Sequence, residues 1–354
     1  MAQFVDTFGG RLVGSQALDN ATDFLVETLE TEKLDDIYTE NVLVPKWERG
    51  LEWARLLEPR SQTLSILGFA GSVATPKDGI TAEVIVVNTL EALNEISTHL
   101  IKDKIVLFNA NRVNGSYIKF KLDATRLAAN SGGRAVMFRS VAREVVYSPH
   151  AGIIRYYSKD TQIPAVSIAA EDADMLSRMT KRGVKVKVGL YLESTFYGLT
   201  QSRNLMAELT GTRYPNEEVI VSAHLDSWDV GQGAIDDGAG VVISWRALAL
   251  LKKLGVKPKR TLKLILFTGE EMGRFGSKAY IDSLDLTQSD ANEFMDAGVP
   301  ASGLLNDNSK YWHYSHTSAD TISAINPYYM DLCLTLWTSV AYVLADLNAK
   351  LPKP

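Results

Sequence analysis

Two short stretches in the second half of the chain carry the side chains whose types and spacing could support catalysis. The first covers residues 224–240 and contributes His224 and several carboxylates. The second is Gly269-Glu270-Glu271, which directly follows an apolar run. Imidazole nitrogens and carboxylate oxygens suit zinc, and zinc in hydrolases activates a water molecule. These residues therefore indicate a metal-dependent hydrolase.

Each of these groups also has an ordinary structural interpretation. A histidine at a strand end often packs, a Glu-Glu pair often begins a helix, and Asp-Asp-Gly often forms a turn or an N-cap. Their joint occurrence favours a metal site, because residues 262–268 are almost entirely apolar. Two carboxylates at the end of such a run lie beside a buried sheet, where uncompensated charge is costly and a metal ion relieves it.

The loop before the last predicted helix supplies a second candidate imidazole. This is His316, within the sequence Tyr-Ser-His-Thr-Ser-Ala-Asp-Thr that spans residues 314–321. His313 lies three residues earlier, and that offset points it elsewhere. We interpret His313 as a surface or packing residue.

The acidic residues fit distinct roles around two metal ions. Asp226, two residues after His224, can accept the second ring N–H of that histidine and fix its tautomer. A carboxylate such as Asp236 can bridge two ions. Of the two adjacent glutamates, one can bind metal while the other acts as general base toward the water.

Size and composition set the broad class. The chain has 354 residues, which suggests about two domains, and it is 46% hydrophobic and 22% charged, as in a globular protein. A net charge of −5 argues against nonspecific nucleic-acid binding, and no apolar stretch reaches the length of a membrane span. Cys333 is the single cysteine, so no internal disulfide forms. No signal peptide is visible, although sequons at Asn20 and Asn114 permit a secreted protein.

The pattern of apolar residues divides the chain into an interrupted α/β domain and an inserted module. Residues 16–32 form an amphipathic helix behind a glycine loop, residues 8–15, that lacks the ending of a phosphate-binding loop. From about 45 to 195, short β-like runs and one helix over 120–130 predict a separate β-rich module. After 200, strands and helices alternate, which favours an α/β sheet with His224 and the Glu-Glu pair at the carboxyl ends of strands.

The predicted elements are as follows. In the inserted module we expect strands over 64–69, 83–88, 105–108, 135–139, 165–168 and 184–192. In the second half we expect strands over 204–209, 218–223 and 261–268, a helix over 241–254 closed by Gly255, and a last helix from Pro327.

These motifs resemble the co-catalytic zinc exopeptidases of the aminopeptidase and glutamate carboxypeptidase superfamily. The matching residues are His-Leu-Asp at 224–226, Asp-Asp-Gly at 236–238, Gly-Glu-Glu at 269–271 and His-Thr-x-x-Asp-Thr at 316–321. The resemblance implies a mixed-sheet α/β peptidase domain (1–44 and 196–354) interrupted by a protease-associated β-rich domain (45–195). It also implies a peptide substrate, a homodimer, and a secreted or lysosomal glycoprotein.

The resemblance also implies a role for each matched residue. His224 binds one zinc, Asp236 bridges both, Glu271 and His316 bind the second, Glu270 is the general base and Asp226 orients His224. The Asp236–Asp237 peptide bond is expected to be cis.

The chain departs from this family at one place. About fifty residues are absent before Gln288, including the strand whose terminal aspartate completes the first zinc site, so that the peptidase domain is shortened near 284–290. Asp290 superficially resembles that ligand, but the sequence around it matches a later motif better.

Two kinds of function follow. The leading prediction is a zinc-dependent exopeptidase that hydrolyses dipeptides or short peptides, with two zinc ions per chain in the family and fewer here if the missing segment matters. The alternatives are a catalytically impaired homologue or splice form that acts as a binding protein, and a protein whose β-rich module mediates interactions.

Overall fold

The computed structural model describes residues 1–111, 116–141, 147–283, 295, 298–304 and 307–349. The chain forms two compact units, residues 1–46 with 199–354, and residues 47–198. The predicted division at 45 and 195 lies within three residues of these boundaries. No helix in the described part of the chain is both long enough and apolar enough to span a bilayer.

The first unit combines helices with a mixed four-stranded sheet. Its helices are α1 (Ala2–Phe8), α2 (Gln16–Thr31), α7 (Ala239–Lys253), α8 (Phe275–Ser283), α9 (Tyr311–Tyr314) and α10 (Pro327–Asp346). Its strands are β1 (Asp35–Glu48), β10 (Thr195–Leu209), β11 (Tyr214–His224) and β12 (Arg260–Phe267), in the order β1-β10-β12-β11. Strands and helices alternate after residue 200, as the sequence predicts.

The register of β11 and β12 brings two distant parts of the sequence to one edge of the sheet. The strands run parallel, and His224, the last residue of β11, pairs with Phe267, the last residue of β12. Every residue of β12 is buried. On its other side, β12 pairs with β10 in the antiparallel direction. The residues that follow both strands therefore emerge together at their carboxyl ends.

The helices of this unit begin and end at the signals in the sequence. The Ser15 hydroxyl accepts a hydrogen bond from the Leu18 N–H at the start of α2 (3.3 Å), and the helix buries Leu18, Leu25 and Leu29. Gly255 follows α7 with a φ of 69°, a conformation that glycine adopts without strain. The predicted helices over 16–32, 241–254 and from Pro327 are thus confirmed to within two residues.

The second unit is a mixed sheet of eight strands with helices. Its strands are β2 (Glu52–Glu58), β3 (Gln62–Leu64), β4 (Ile66–Gly68), β5 (Ile80–Val87), β6 (Ile105–Phe108), β7 (Ala135–Arg139), β8 (Ala165–Ile168) and β9 (Lys187–Leu192). They follow the order β3-β2-β9-β5-β6-β7-β8-β4, and β5 to β8 are parallel neighbours. Its helices are α3 (Leu90–Asn94), α4 (Thr98–Ile101), α5 (Tyr117–Asn130) and α6 (Ala170–Lys181).

This unit differs from the sequence prediction in several places, and β2, α3 and α4 have no predicted counterpart. The single strand expected over 64–69 is two short strands, because the chain turns at Ser65, whose N–H donates to the Asp172 carboxylate at 2.8 Å. Helix α6 has no counterpart in the prediction, since only its position against the sheet shows that Ala173 and Leu176 are its buried face. The unit is rich in β-structure, but its parallel strands are those of an α/β arrangement.

Candidate metal centre

The centre begins where β11 and β12 end. His224 closes β11, and Glu270 and Glu271 follow β12 after a turn at Gly269. The Leu225 N–H donates to the Phe267 carbonyl at 2.7 Å, which continues the pairing one step beyond the strands. The sheet therefore places an imidazole and two carboxylates side by side.

Asp226, which follows β11, is hydrogen-bonded to the residues that follow β12. Its side chain is fully buried, and its carboxylate accepts the main-chain N–H groups of Glu270 (3.0 Å) and Glu271 (3.2 Å). The His224 Nδ1–H donates to the main-chain carbonyl of Asp226 at 2.9 Å, whereas the nearest carboxylate oxygen is 3.7 Å away. Asp226 thus orients His224 through its main chain, and its carboxylate holds the Glu-Glu turn.

Asp236 stands between the two imidazoles. Its Oδ1 lies 3.2 Å from His224 Nε2, and its Oδ2 lies 3.0 Å from His316 Nε2. The His316 Nε2 also lies 3.1 Å from Glu271 Oε2. Asp236, Glu271 and His316 offer ligand atoms that all lie within 4.8 Å of one another, the only such group of three among the residues described.

Asp320 fixes the turn that carries Asp236. Its carboxylate accepts three main-chain N–H groups, from Ala234 (2.8 Å), Ile235 (2.6 Å) and Asp236 (3.1 Å). Because Asp320 lies four residues after His316, the same contacts hold the loop of His316 against the turn of Asp236. The peptide bond between Asp236 and Asp237 is cis, as the family resemblance implies.

Three further hydrogen bonds complete the site. The Ser315 hydroxyl donates to Asp236 Oδ2 at 2.6 Å. The Asp237 carboxylate accepts the main-chain N–H groups of His224 (3.3 Å) and Gly240 (3.0 Å). His316 itself has a φ of 62°, a left-handed conformation that is uncommon for residues other than glycine and is found at functional sites.

The electrostatics are those of a site built for positive charge. Burial disfavours a charged imidazole, but Glu271 and Asp236 outweigh it and raise the pKa of His316 to about 10. Burial is opposed in the same way at His224, where Asp226 and Asp236 raise the pKa well above its usual value. Burial and the nearby charge of Asp236 raise the pKa of Glu271 to about 7.

All of the predicted site residues therefore lie around one place in the structure. Asp236, Glu271 and His316 form the group of three, and His224 contacts Asp236. Glu270 shares its main-chain anchor with Glu271, but its carboxylate faces Arg274, whose Nε lies 3.4 Å from Oε1. The roles of these residues in binding and catalysis remain predictions.

Sequence reasoning missed three residues that build the site. Asp320 and Ser315 lie on either side of His316 in the motif at residues 314–321. Their closeness to a predicted ligand is the sequence feature that could have identified them. Arg11, in the glycine loop, carried no signal because its contacts lie more than two hundred residues away. Asp290 lies outside the described residues.

Comparisons with known proteins agree with this geometry. The profile of Peptidase family M28 matches residues 204–288. Carboxypeptidase Q of Xenopus laevis is 41% identical over 406 residues, and that of Homo sapiens is 37% identical; both alignments cover 100% of this chain and 86% of the relative. The structure of a Peptidase M28 precursor from Shewanella amazonensis superimposes with a TM-score of 0.88 at 30% identity, over 100% of this chain and 95% of that one.

Identity of this level over the whole chain decides the family. The chain belongs to the carboxypeptidase Q family. It is a zinc-dependent exopeptidase with the mixed α/β fold that the sequence predicts. The stretches that resemble carboxypeptidase Q in particular are residues 47–50, 140–142, 147–150 and 222–240.

The family alignment also bears on the missing segment. The alignment with carboxypeptidase Q spans 406 residues, whereas this chain has 354, so at least 52 positions of the relative have no counterpart here. This agrees with the predicted loss of about fifty residues. Its position before Gln288 stays a prediction.

The raised pKa of His316 predicts how the metal-free protein responds to pH. Between the ordinary value of 6.5 and about 10, the folded state holds a proton that the unfolded chain releases. The stability that this proton contributes is therefore complete below pH 6.5 and is lost as the pH rises toward 10. We expect the denaturation midpoint, measured in chelator, to fall between pH 6 and pH 9. The fall should be larger in the wild type than in His316→Asn. Comparison of the two chains cancels the titration of groups that lie away from this site, and equal slopes would contradict the assignment.

The three hydrogen bonds of Asp320 predict a large loss of stability when they are removed. Asp320→Ala leaves three main-chain N–H groups without their acceptor, which we expect to lower the free energy of unfolding by about 2–5 kcal/mol. Asp331→Ala, at an exposed position of α10, is the control and should change it by less than about 0.5 kcal/mol. Chemical denaturation measures the free energy of unfolding of both variants. A small effect of Asp320→Ala would show that the three hydrogen bonds of Asp320 are dispensable for stability.

Proposed function

We propose that the chain hydrolyses dipeptides or short peptides with free termini, using zinc bound by Asp236, Glu271 and His316. The convergence of these three side chains carries the proposal. They come from three separate parts of the sequence, and they supply the nitrogen and oxygen donors that zinc takes in hydrolases.

The burial of the Glu271 carboxylate indicates that the group of Asp236, Glu271 and His316 fits a cation. Its side chain is only 3% exposed, and its Oε1 atom is buried without a hydrogen-bond partner. A buried carboxylate oxygen in that state is costly unless a cation or a donor reaches it. When bound, zinc supplies a Lewis acid that polarises the scissile carbonyl and lowers the pKa of a water molecule.

His224 and Asp236 support a second ion. The two oxygens of Asp236 face the two different imidazoles, as a bridging carboxylate does. The group of three ligands found among the described residues does not include His224. Because an ion with fewer protein ligands is held less tightly, we propose one tightly bound and one weakly bound zinc.

Glu270 is the residue that we assign as general base. Its main chain is fixed beside Glu271 by Asp226, while its side chain stays 29% exposed and accessible to a substrate. The neighbouring Arg274 places its guanidinium Nε 3.4 Å from Glu270 Oε1, so the carboxylate has a charged partner at the edge of the site. Glu270 would take the proton from the attacking water and deliver it to the leaving amine.

Assembly and location follow from the family resemblance. We propose a homodimeric glycoprotein that is secreted or lysosomal, with residues 45–195 as its protease-associated domain. Asn20, the first sequon, is exposed on α2, which leaves it accessible to a glycan. The second sequon, at Asn114, lies outside the described residues.

The assignment of Glu270 predicts a loss of turnover without a loss of metal. Glu270→Gln should lower kcat on a dipeptide by about 10²–10⁴-fold, because the proton acceptor is removed. The zinc content should stay unchanged, because Glu270 is outside the group of three ligands. Glu30→Gln, an exposed position on α2, is the matched control and should behave as wild type. Unchanged turnover in Glu270→Gln would refute the role.

The two-site proposal predicts that the two histidines differ in their effect on zinc. After dialysis the wild type should retain about one zinc per chain by elemental analysis and take up a second only in excess metal. His316→Ala should lose the retained ion, whereas His224→Ala should keep it and lose only the weak site.

His313→Ala is the matched control, since His313 lies three residues from His316 and is outside the group of three. It should bind zinc as the wild type does. Two tightly held ions in the wild type would overturn the ranking of the sites. A wild type that retains none would instead support the alternative of a catalytically impaired homologue.

A further inference from the structure

Arg11 is a fully buried arginine in the glycine loop between α1 and α2. It has the largest of the fully buried side chains in the part of the chain that the structure describes. A buried guanidinium loses its hydration, so its N–H groups need acceptors within the protein. The acceptors that Arg11 uses show what the residue does.

The guanidinium donates to the main chain of the loop that carries the metal ligands. Its Nε–H donates to the Leu225 carbonyl (2.9 Å), and its Nη1 group donates to Gln232 (2.8 Å) and Gly9 (3.0 Å). Its Nη2 group donates to the Gly233 carbonyl at 3.0 Å. Leu225 lies between His224 and Asp226, and Gly233 lies three residues before Asp236.

The planar guanidinium therefore spans the two ends of one loop. Its donors are held in a fixed plane, so the spacing between Leu225 and Gly233 is set by the group itself. The main chain of Arg11 adds a second connection, because its N–H donates to the Ser227 hydroxyl (3.0 Å) and its carbonyl accepts the Ser227 N–H (3.1 Å).

The N-terminal helix completes the enclosure of this side chain. The Phe4 ring lies 4.9 Å from the guanidinium carbon, a distance at which the face of an aromatic ring stabilises a cation. Gly238 lies on another side, where a Cβ atom would come within 3.7 Å of Nη2 and within 3.0 Å of Val5. Phe4 and Val5 of the N-terminal helix thus lie beside Arg11 and the loop of the metal centre.

Arg11 also places a positive charge among the carboxylates. Burial lowers its pKa to about 10, while Asp226, Asp237, Asp320 and Glu271 oppose that effect, so the group remains charged at neutral pH. These acidic residues include one proposed ligand and the carboxylates that anchor the ligand loops.

We infer that Arg11 is a positioning residue of the metal centre, which sets the distance between His224 and Asp236 through the main chain of their loop. The inference rests on the zinc centre proposed above. It predicts that changes at Arg11 alter the affinity for zinc and the coordination geometry in addition to stability.

Arg260 provides a matched control. It is another buried arginine of the same unit, and it also donates to main-chain carbonyls, those of Leu347 (2.6 Å) and Ala349 (3.3 Å). It begins β12, whereas the ligands follow the other end of that strand. Loss of Arg260 therefore reports the general cost of removing a buried arginine without disturbing the ligand loop.

The experiment compares Arg11→Met, Arg11→Lys and Arg260→Met in the full-length chain. The zinc dissociation constant is measured by competition with a chromophoric chelator, and the geometry of the site by the visible spectrum of the cobalt-substituted protein. Arg11→Met should weaken zinc binding at least tenfold and change the cobalt spectrum. Arg260→Met should lower the denaturation midpoint but leave both of these readouts at the wild-type values.

Arg11→Lys keeps the charge but loses the planar donor set. It should change the cobalt spectrum and weaken zinc binding by less than Arg11→Met does, and it remains informative if Arg11→Met does not fold. Wild-type affinity and spectrum in the folded Arg11 variants would reduce Arg11 to a structural residue and overturn the inference. Failure of the wild type to bind zinc would instead overturn the proposed function, so the two failures are distinguishable.

Discussion

The structure of the first unit depends on the burial of five carboxylates in one small region beside the ends of β11 and β12. Buried carboxylates are stable only when donors or cations satisfy them. Here two kinds of compensation are used, and they divide the acidic residues into two classes. Main-chain N–H groups satisfy the first class, and imidazoles, in place of metal, satisfy the second. The first class is Asp226, Asp237 and Asp320; the second is Asp236 and Glu271.

This division separates the residues that build the site from those available to bind a cation. The carboxylates satisfied by N–H groups connect loops that are far apart in the sequence. Asp226 joins the end of β11 to the Glu-Glu turn, and Asp320 joins the loop of His316 to the turn of Asp236. With those oxygens already engaged, Asp236 and Glu271 are left with their charge facing the imidazoles. These two carboxylates and the imidazoles are the groups that would hold zinc, and zinc would take the place of the protons that the histidines otherwise carry.

Both units contain buried strands, but the residues at the carboxyl ends of those strands differ. In the second unit, parallel strands β5 to β8 are buried by apolar side chains, and the described contacts there are those of a core. In the first unit, β12 is equally buried, but the residues that follow it are charged. A change from apolar to acidic residues at the carboxyl end of a buried strand is what marks the functional end of an α/β sheet.

The sequence by itself determined the residue types of the site, the alternation of strands and helices around it, and the α/β class. These features are local, because apolar periodicity and the position of a carboxylate after an apolar run can be counted along the chain. Contacts that join distant segments were decided only by the tertiary structure. Arg11 meets three of its four side-chain acceptors more than two hundred residues away, and Asp320 satisfies a turn more than eighty residues before it. No local pattern encodes such pairs, since the partners are main-chain groups that every residue carries and only the folding of distant segments against one another brings them together.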